Sequence, residues 1–137
     1  MNRTDLQGVA MRRLGAAESL LKSQHWDSAY YLAGYAVECG LKACIARRFR
    51  EHDFPDRKIV NDSYTHDLTK LVKIAGLERE REWAEDAADD FKLNRATVKD
   101  WSEESRYEQR SEAQATAILE AIRNAQFGVV QWITQHW

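Results

Sequence analysis

Residues 28–50 read SAYYLAGYAVECGLKACIARRFR. From Ser28 to Ala46 only Glu38 and Lys42 carry charge, and apolar residues fall on nearly every side of a helical projection, as in a helix enclosed by others. Ala29, Ala33, Ala36, Gly40 and Ala43 form a stripe of small residues that lets a neighbouring helix approach closely, while Tyr30, Tyr31, Tyr35, Val37 and Leu41 supply bulk elsewhere. The two central charges and the Ala, Gly and Tyr content make membrane insertion costly, so the stretch reads as a buried helix of a bundle. Glu38, with apolar residues around it, needs the surface or a partner. Lys42 stands at the i, i+4 spacing for a local pair; a functional or inter-helix partner is the alternative.

Working outward, Trp26 and Asp27 open this helix, with Asp27 as its cap, and it extends to about Arg50. Upstream, Leu6, Ala10, Leu14, Ala17 and Leu21 predict a first helix over Arg3–Ser23. Downstream, Glu51 to Tyr64 holds the only proline, Pro55, and reads as the longest connection. Thr65 then caps a short helix, His66–Ala75, closed by Gly76. A fourth helix spans Glu78 to about Arg95, with Leu77, Ala84, Ala87, Ala88 and Phe91 inward and Glu85, Asp86, Asp89 and Asp90 facing water. Thr97 to Gln109 is irregular. Two capping-box patterns, Ser105 to Glu108 and Ser111 to Gln114, precede a last helix carrying Ile118, Ile122, Ala125, Val129 and Ile133. Trp132 and Trp137 add apolar bulk suited to a dimer contact. The expectation is a single all-α domain over residues 1–137, an up-and-down bundle of four to five helices.

Composition agrees. Hydrophobic residues make up 44% and charged residues 31%, with one proline and six glycines, too few punctuators for many short strands. Twenty Lys and Arg against 22 Asp and Glu leave a net charge of −2, so no global positive field draws in nucleic acid and an RNA site must be a local patch. Cys39 and Cys44 lie five apart on different sides of the helix and read as reduced core thiols. The start, MNRTDLQGVAMRRLG, has no apolar signal region, which points to the cytoplasm. His25, His52, His66 and His136 are scattered, with no H-E-x-x-H or C-x-x-C, so neither a metal nor a cofactor is expected. ATPase, dinucleotide-enzyme and serine-hydrolase signatures are absent as well.

Three segments together carry a resemblance. Residues 28–50 resemble the second helix of HEPN-domain proteins, an A-Y-Y-x-A-x-x-A-x-E-x-x-L-K-A run; Thr65 to Leu71 (THDLTKL) is similar to that family's H-D-L segment; and Ser105 to Tyr107 (SRY) is similar to its R-Y segment before the last helix. The resemblance implies a bundle that dimerises, often in toxin–antitoxin or phage-defence loci and beside a minimal nucleotidyltransferase. It also implies a metal-independent RNase built on an R-x(4-6)-H motif, or a silent relative that binds nucleotides or acts as a scaffold. Histidine moves protons to or from a ribose hydroxyl, and arginine stabilises charge developing on phosphorus. The chain departs from the motif: Tyr107 to Glu112 follows Arg106 with no histidine.

The candidate residues follow. Arg47, Arg48, Arg50 and His52 (RRFREH) either form a basic helix end that complements the dipole or a phosphate-binding lip with His52 as proton-transfer group. His66 is either a helix-capping residue or, by the resemblance, a neighbour of Arg106 in one cleft. Arg106 is either an ion-pair partner of Glu38 or an anion ligand. Tyr107 reads as packing, and by the resemblance as a site where a partner nucleotidyltransferase attaches nucleotide. A homodimer cleft lined by Arg47, His52, His66 and Arg106, engaging RNA or nucleotide, is the functional expectation, with a catalytically silent nucleotide-binding or protein-interaction scaffold as the alternative.

Overall fold

Asn2 accepts the Asp5 N–H and Asp5 accepts the Asn2 N–H, a reciprocal cap that starts helix α1 (Arg3–Lys22). The structure, a computed structural model, describes residues 1–50 and 52–137; Glu51, the first residue of the expected long connection, lies outside them. Ala10, Leu14 and Ala17 turn the buried side of α1 against α2 (Trp26–Arg47). Asp27 does not cap α2. His25 holds that position, and Asp27, in the first turn, accepts the Arg110 N–H at 2.5 Å, so its carboxylate ties the helix start to a distant segment.

The small-residue stripe behaves as its spacing requires. Ala29, Ala33, Ala36 and Ala43 have no exposed surface, and a Cβ on Gly40 would stand 3.0 Å from the Ile133 side chain. Small side chains on α2 thus seat the C-terminal helices at close range. Cys39 and Cys44 are free and buried, and burial pushes the Cys44 thiol up to about 12.

All described elements are helical, as expected, but more numerous than four to five. The Pro55 connection contains α3 (Arg57–Asp62), started by Asp56, whose carboxylate accepts the Lys58 and Ile59 N–H groups. Helix α4 (Leu68–Ile74) is capped by Asp67 instead of Thr65, because the Thr65 hydroxyl accepts the Asp67 N–H. The expected fourth helix breaks at Ala88, which is extended, into α5 (Glu78–Ala87) and α6 (Asp89–Lys99). Asp89 and Asp90 favour a new N-terminus there. Ala87, expected inward, is exposed, and Glu85 pairs with Arg81 at 2.8 Å.

A 3₁₀ turn (Glu103–Tyr107) follows α6. Its Ser105 is buried and makes no capping box with Glu108, whereas Ser111 and Gln114 do form one at the start of α7 (Glu112–Arg123). The last helix is interrupted as well. Asn124 accepts the Gln126 and Phe127 N–H groups and turns the chain before α8 (Val129–Thr134). Gly128 is required there, since a Cβ would collide with the Asn124 and Ile122 carbonyl oxygens. Trp132 is buried against Phe91 and His136, so it belongs to the core and offers no dimer contact. No helix among the described residues is long and apolar enough to cross a membrane.

Candidate functional site

Tyr31, Tyr35, Glu38 and Lys42 follow one another on α2 at spacings of four, three and four, which places them on one face. That face is only partly covered, and Glu38 is its buried centre, with 3% of its side chain exposed. Both alternatives for Glu38 hold at once. Lys42 Nζ donates to Oε1 at 2.9 Å, and His66 Nδ1 lies 2.9 and 3.0 Å from Oε1 and Oε2.

An ionised carboxylate only accepts hydrogen bonds, so His66 Nδ1 carries the proton and Nε2 is left as the basic nitrogen. The imidazole is 42% exposed and lines a cleft of about 460 Å³ with Thr65, Asp67, Lys99, Trp101 and Glu103. A histidine oriented by a carboxylate through one nitrogen and open to a cleft is equipped for proton transfer. His66 precedes the Asp67 cap of α4 and does not cap that helix itself.

Arg106 does not meet Glu38. Its Nη2 donates to Tyr31 Oη at 3.0 Å, and its guanidinium stands 5.3 Å from the Tyr31 ring centre and 5.7 Å from that of Tyr107. The hydrogen bond to Tyr31 raises the Arg106 pKa above its already high value. Leu20, Asp27, Ser28 and Leu32 complete a depression around Arg106 and Tyr31. Tyr107 is 81% exposed and is not a packing residue. His66 and Arg106 therefore do not share a single cleft. Trp101 lines the His66 cleft, Tyr31 lines the Arg106 depression, and the two rings stack at 5.9 Å as the wall between them. Tyr31 and Glu38, seven residues apart, are separated by about 10 Å along the helix.

Trp101 reaches that position because residue 34 has no side chain: a Cβ on Gly34 would collide with the indole. Sequence reasoning assigned Tyr31 to packing and did not single out Trp101. The regular spacing of Tyr31, Tyr35, Glu38 and Lys42 was the available signal for the first; none existed for the second.

The basic end of α2 lies far from Arg106. Arg47 Nη1 donates to the His136 carbonyl at 3.3 Å, and Arg48 Nη1 donates to the Ile74 carbonyl, so both guanidiniums fasten α2 to other elements. Arg50 is exposed, and His52, also exposed, adopts a left-handed conformation with φ 72°. Sixteen residues of helix, about 24 Å, separate Arg47 from Tyr31 and the Arg106 beside it. One protomer thus does not gather Arg47, His52, His66 and Arg106 into one cleft, because α2 is too long. Among the described residues, no three His, Cys, Asp or Glu side chains gather as metal ligands would.

The HEPN domain model matches residues 5–135, nearly the whole chain. The chain belongs to the HEPN family. Membership supports a nucleotide- or RNA-related role, and HEPN domains commonly dimerise. No curated protein and no solved structure matches the chain. In HEPN terms the departure is local: the 3₁₀ turn ends at Tyr107, and the segment to Glu112 that would carry the motif histidine instead holds Arg110, whose guanidinium stacks on Tyr30 at 4.3 Å.

Proposed function

We propose that this HEPN protein binds RNA or a nucleotide along the partly covered face of α2, as a cytoplasmic homodimer and as a component of a toxin–antitoxin or phage-defence module. The observation that carries the reading is the Glu38–His66 pair, a proton-transfer histidine fixed at the mouth of a polar cleft. Arg106, flanked by Tyr31 and exposed Tyr107, supplies a cation with aromatic faces on which a base or phosphate can rest. In this reading His66 replaces the missing motif histidine. Cleavage proceeds without metal: His66 Nε2 takes the 2′-hydroxyl proton, the 2′-oxygen attacks phosphorus as the P–O5′ bond breaks, and the departing 5′-oxygen takes a proton from water, leaving a cyclic 2′,3′-phosphate and a free 5′-hydroxyl. A minimal nucleotidyltransferase is the proposed protein partner, with Tyr107 accessible to it.

A second reading is favoured by one observation, the rise of about 10 Å along α2 between Tyr31, which holds Arg106, and Glu38, which holds His66, and the two side chains face separate hollows instead of one phosphorus. On that reading the protein is a silent nucleotide-binding or interaction scaffold. Incubating purified protein with a mixed RNA pool in chelator, beside His66→Ala, Arg106→Ala and His52→Ala variants, separates the two. Cleavage lost in His66→Ala and retained in His52→Ala supports the nuclease. Intact RNA with the folded wild type leaves binding as the function.

A further inference from the structure

A second cleft of about 620 Å³ opens between α3 and α4, lined by Arg48, Lys58, Lys70 and Lys73 against Asp56 and Asp62. Four cations face two carboxylates in a chain whose net charge is −2. Both carboxylates are already engaged, Asp56 with the backbone N–H groups of Lys58 and Ile59 and Asp62 with Lys58 Nζ at 2.6 Å. Lys70 and Lys73, both exposed and neighbours on one side of α4, take part in no ion pair among the described residues. With Arg48, held by the Ile74 carbonyl, they make three cations against the one carboxylate not taken up in an ion pair, Asp56, so this surface keeps a positive excess.

Position gives the charge its meaning. Thr65 lines both this cleft and the His66 cleft, so the two lie side by side with one residue between them. Each is the size of a small-ligand site, and a ligand reaching both must be longer than a mononucleotide. We infer that the α3–α4 cleft is the phosphate-binding continuation of the His66 site, and that the ligand is an extended single-stranded RNA whose backbone crosses Thr65 onto Lys70 and Lys73. This rests on the RNA reading above and narrows it from nucleotide to polynucleotide.

The test is fluorescence anisotropy with a labelled dinucleotide and a labelled twelve-nucleotide RNA, using the full chain and Lys70→Gln/Lys73→Gln. Glutamine removes the charge and shares the helix propensity of lysine at exposed positions, so the fold is retained. The longer RNA should bind the double variant roughly tenfold more weakly at physiological salt, and the slope of log affinity against log salt should shrink by about 1.4, two single-strand phosphate contacts. Dinucleotide binding should not change. Unaltered affinity and slope for the longer RNA, with wild-type binding intact, overturn this inference and leave the broader reading standing. Absence of wild-type binding at either length overturns both. Polyglutamate bound as tightly as RNA of equal charge assigns the cleft to an acidic protein and overturns the inference as well.

Discussion

Glu38 serves two hydrogen-bond partners, Lys42 and His66, with one carboxylate, and its surroundings decide what its loss costs. Lys42 and His66 both keep access to water, so Glu38→Ala leaves no fully buried unpaired charge; it removes two hydrogen bonds to a charged group from a packed helix face. A loss of about 1–3 kcal/mol is expected in urea unfolding, and a change under 0.5 kcal/mol would show that the pairs do not hold α4 to α2. The sequence displayed the anomaly and its local partner, since an acid among apolar residues with Lys42 one turn away is visible in one dimension. It could not display His66, which arrives by tertiary packing, and it misdirected Arg106 toward Glu38 because Tyr31 looked like bulk. His136 makes a separate prediction. Burial, the largest influence, holds its pKa below the ordinary 6.5. The unfolded chain therefore binds this proton more readily than the native one, so stability is full above about pH 6.5 and falls as pH drops below it. His136→Gln should flatten the decline of Tm between pH 7.5 and 5.5 relative to wild type; an identical decline would assign acid sensitivity to other groups.

At the scale of elements, the long helices were legible and the breaks were not. Apolar periodicity carries across Asn124 to Gly128 without losing phase, so Ile118, Ile122, Val129 and Ile133 look like one helix although Asn124 folds back on its own backbone. The Asn and Gly flanking that segment were the clue, weaker than the pattern they interrupt. Gly128→Ala places a Cβ against two carbonyl oxygens and should cost about 2 kcal/mol or more, read as a lowered urea midpoint. Gly34→Ala acts by another route. Its methyl would collide with the buried indole of Trp101, so a loss of about 1–3 kcal/mol should come with displacement of Trp101 and of the Tyr31 ring stacked on it. Weakened RNA binding beyond the loss of folded protein would tie that displacement to the site; wild-type binding by the folded variant would separate packing from function.

For the whole molecule, stability is uneven in a way that hydrogen exchange can read. Helix α2 carries more buried residues than any other described helix, while α3 and α5 contain none. Amides of α3 should exchange first and those in the middle of α2 last; equal protection in both would contradict the burial pattern. The same contrast explains why fold was more legible than function. A core imposes its period on the sequence, whereas the cationic cleft combines Arg48 from the end of α2 with lysines of α3 and α4 that balance to nothing in a net charge of −2. Finally, the empty place at Gly34 concerns descent as much as packing. Because the indole of Trp101 occupies the volume a side chain would take, the two positions are bound to change together. A lineage that acquires a side chain at position 34 must shrink the ring at 101, and with it lose the wall that keeps two neighbouring hollows apart.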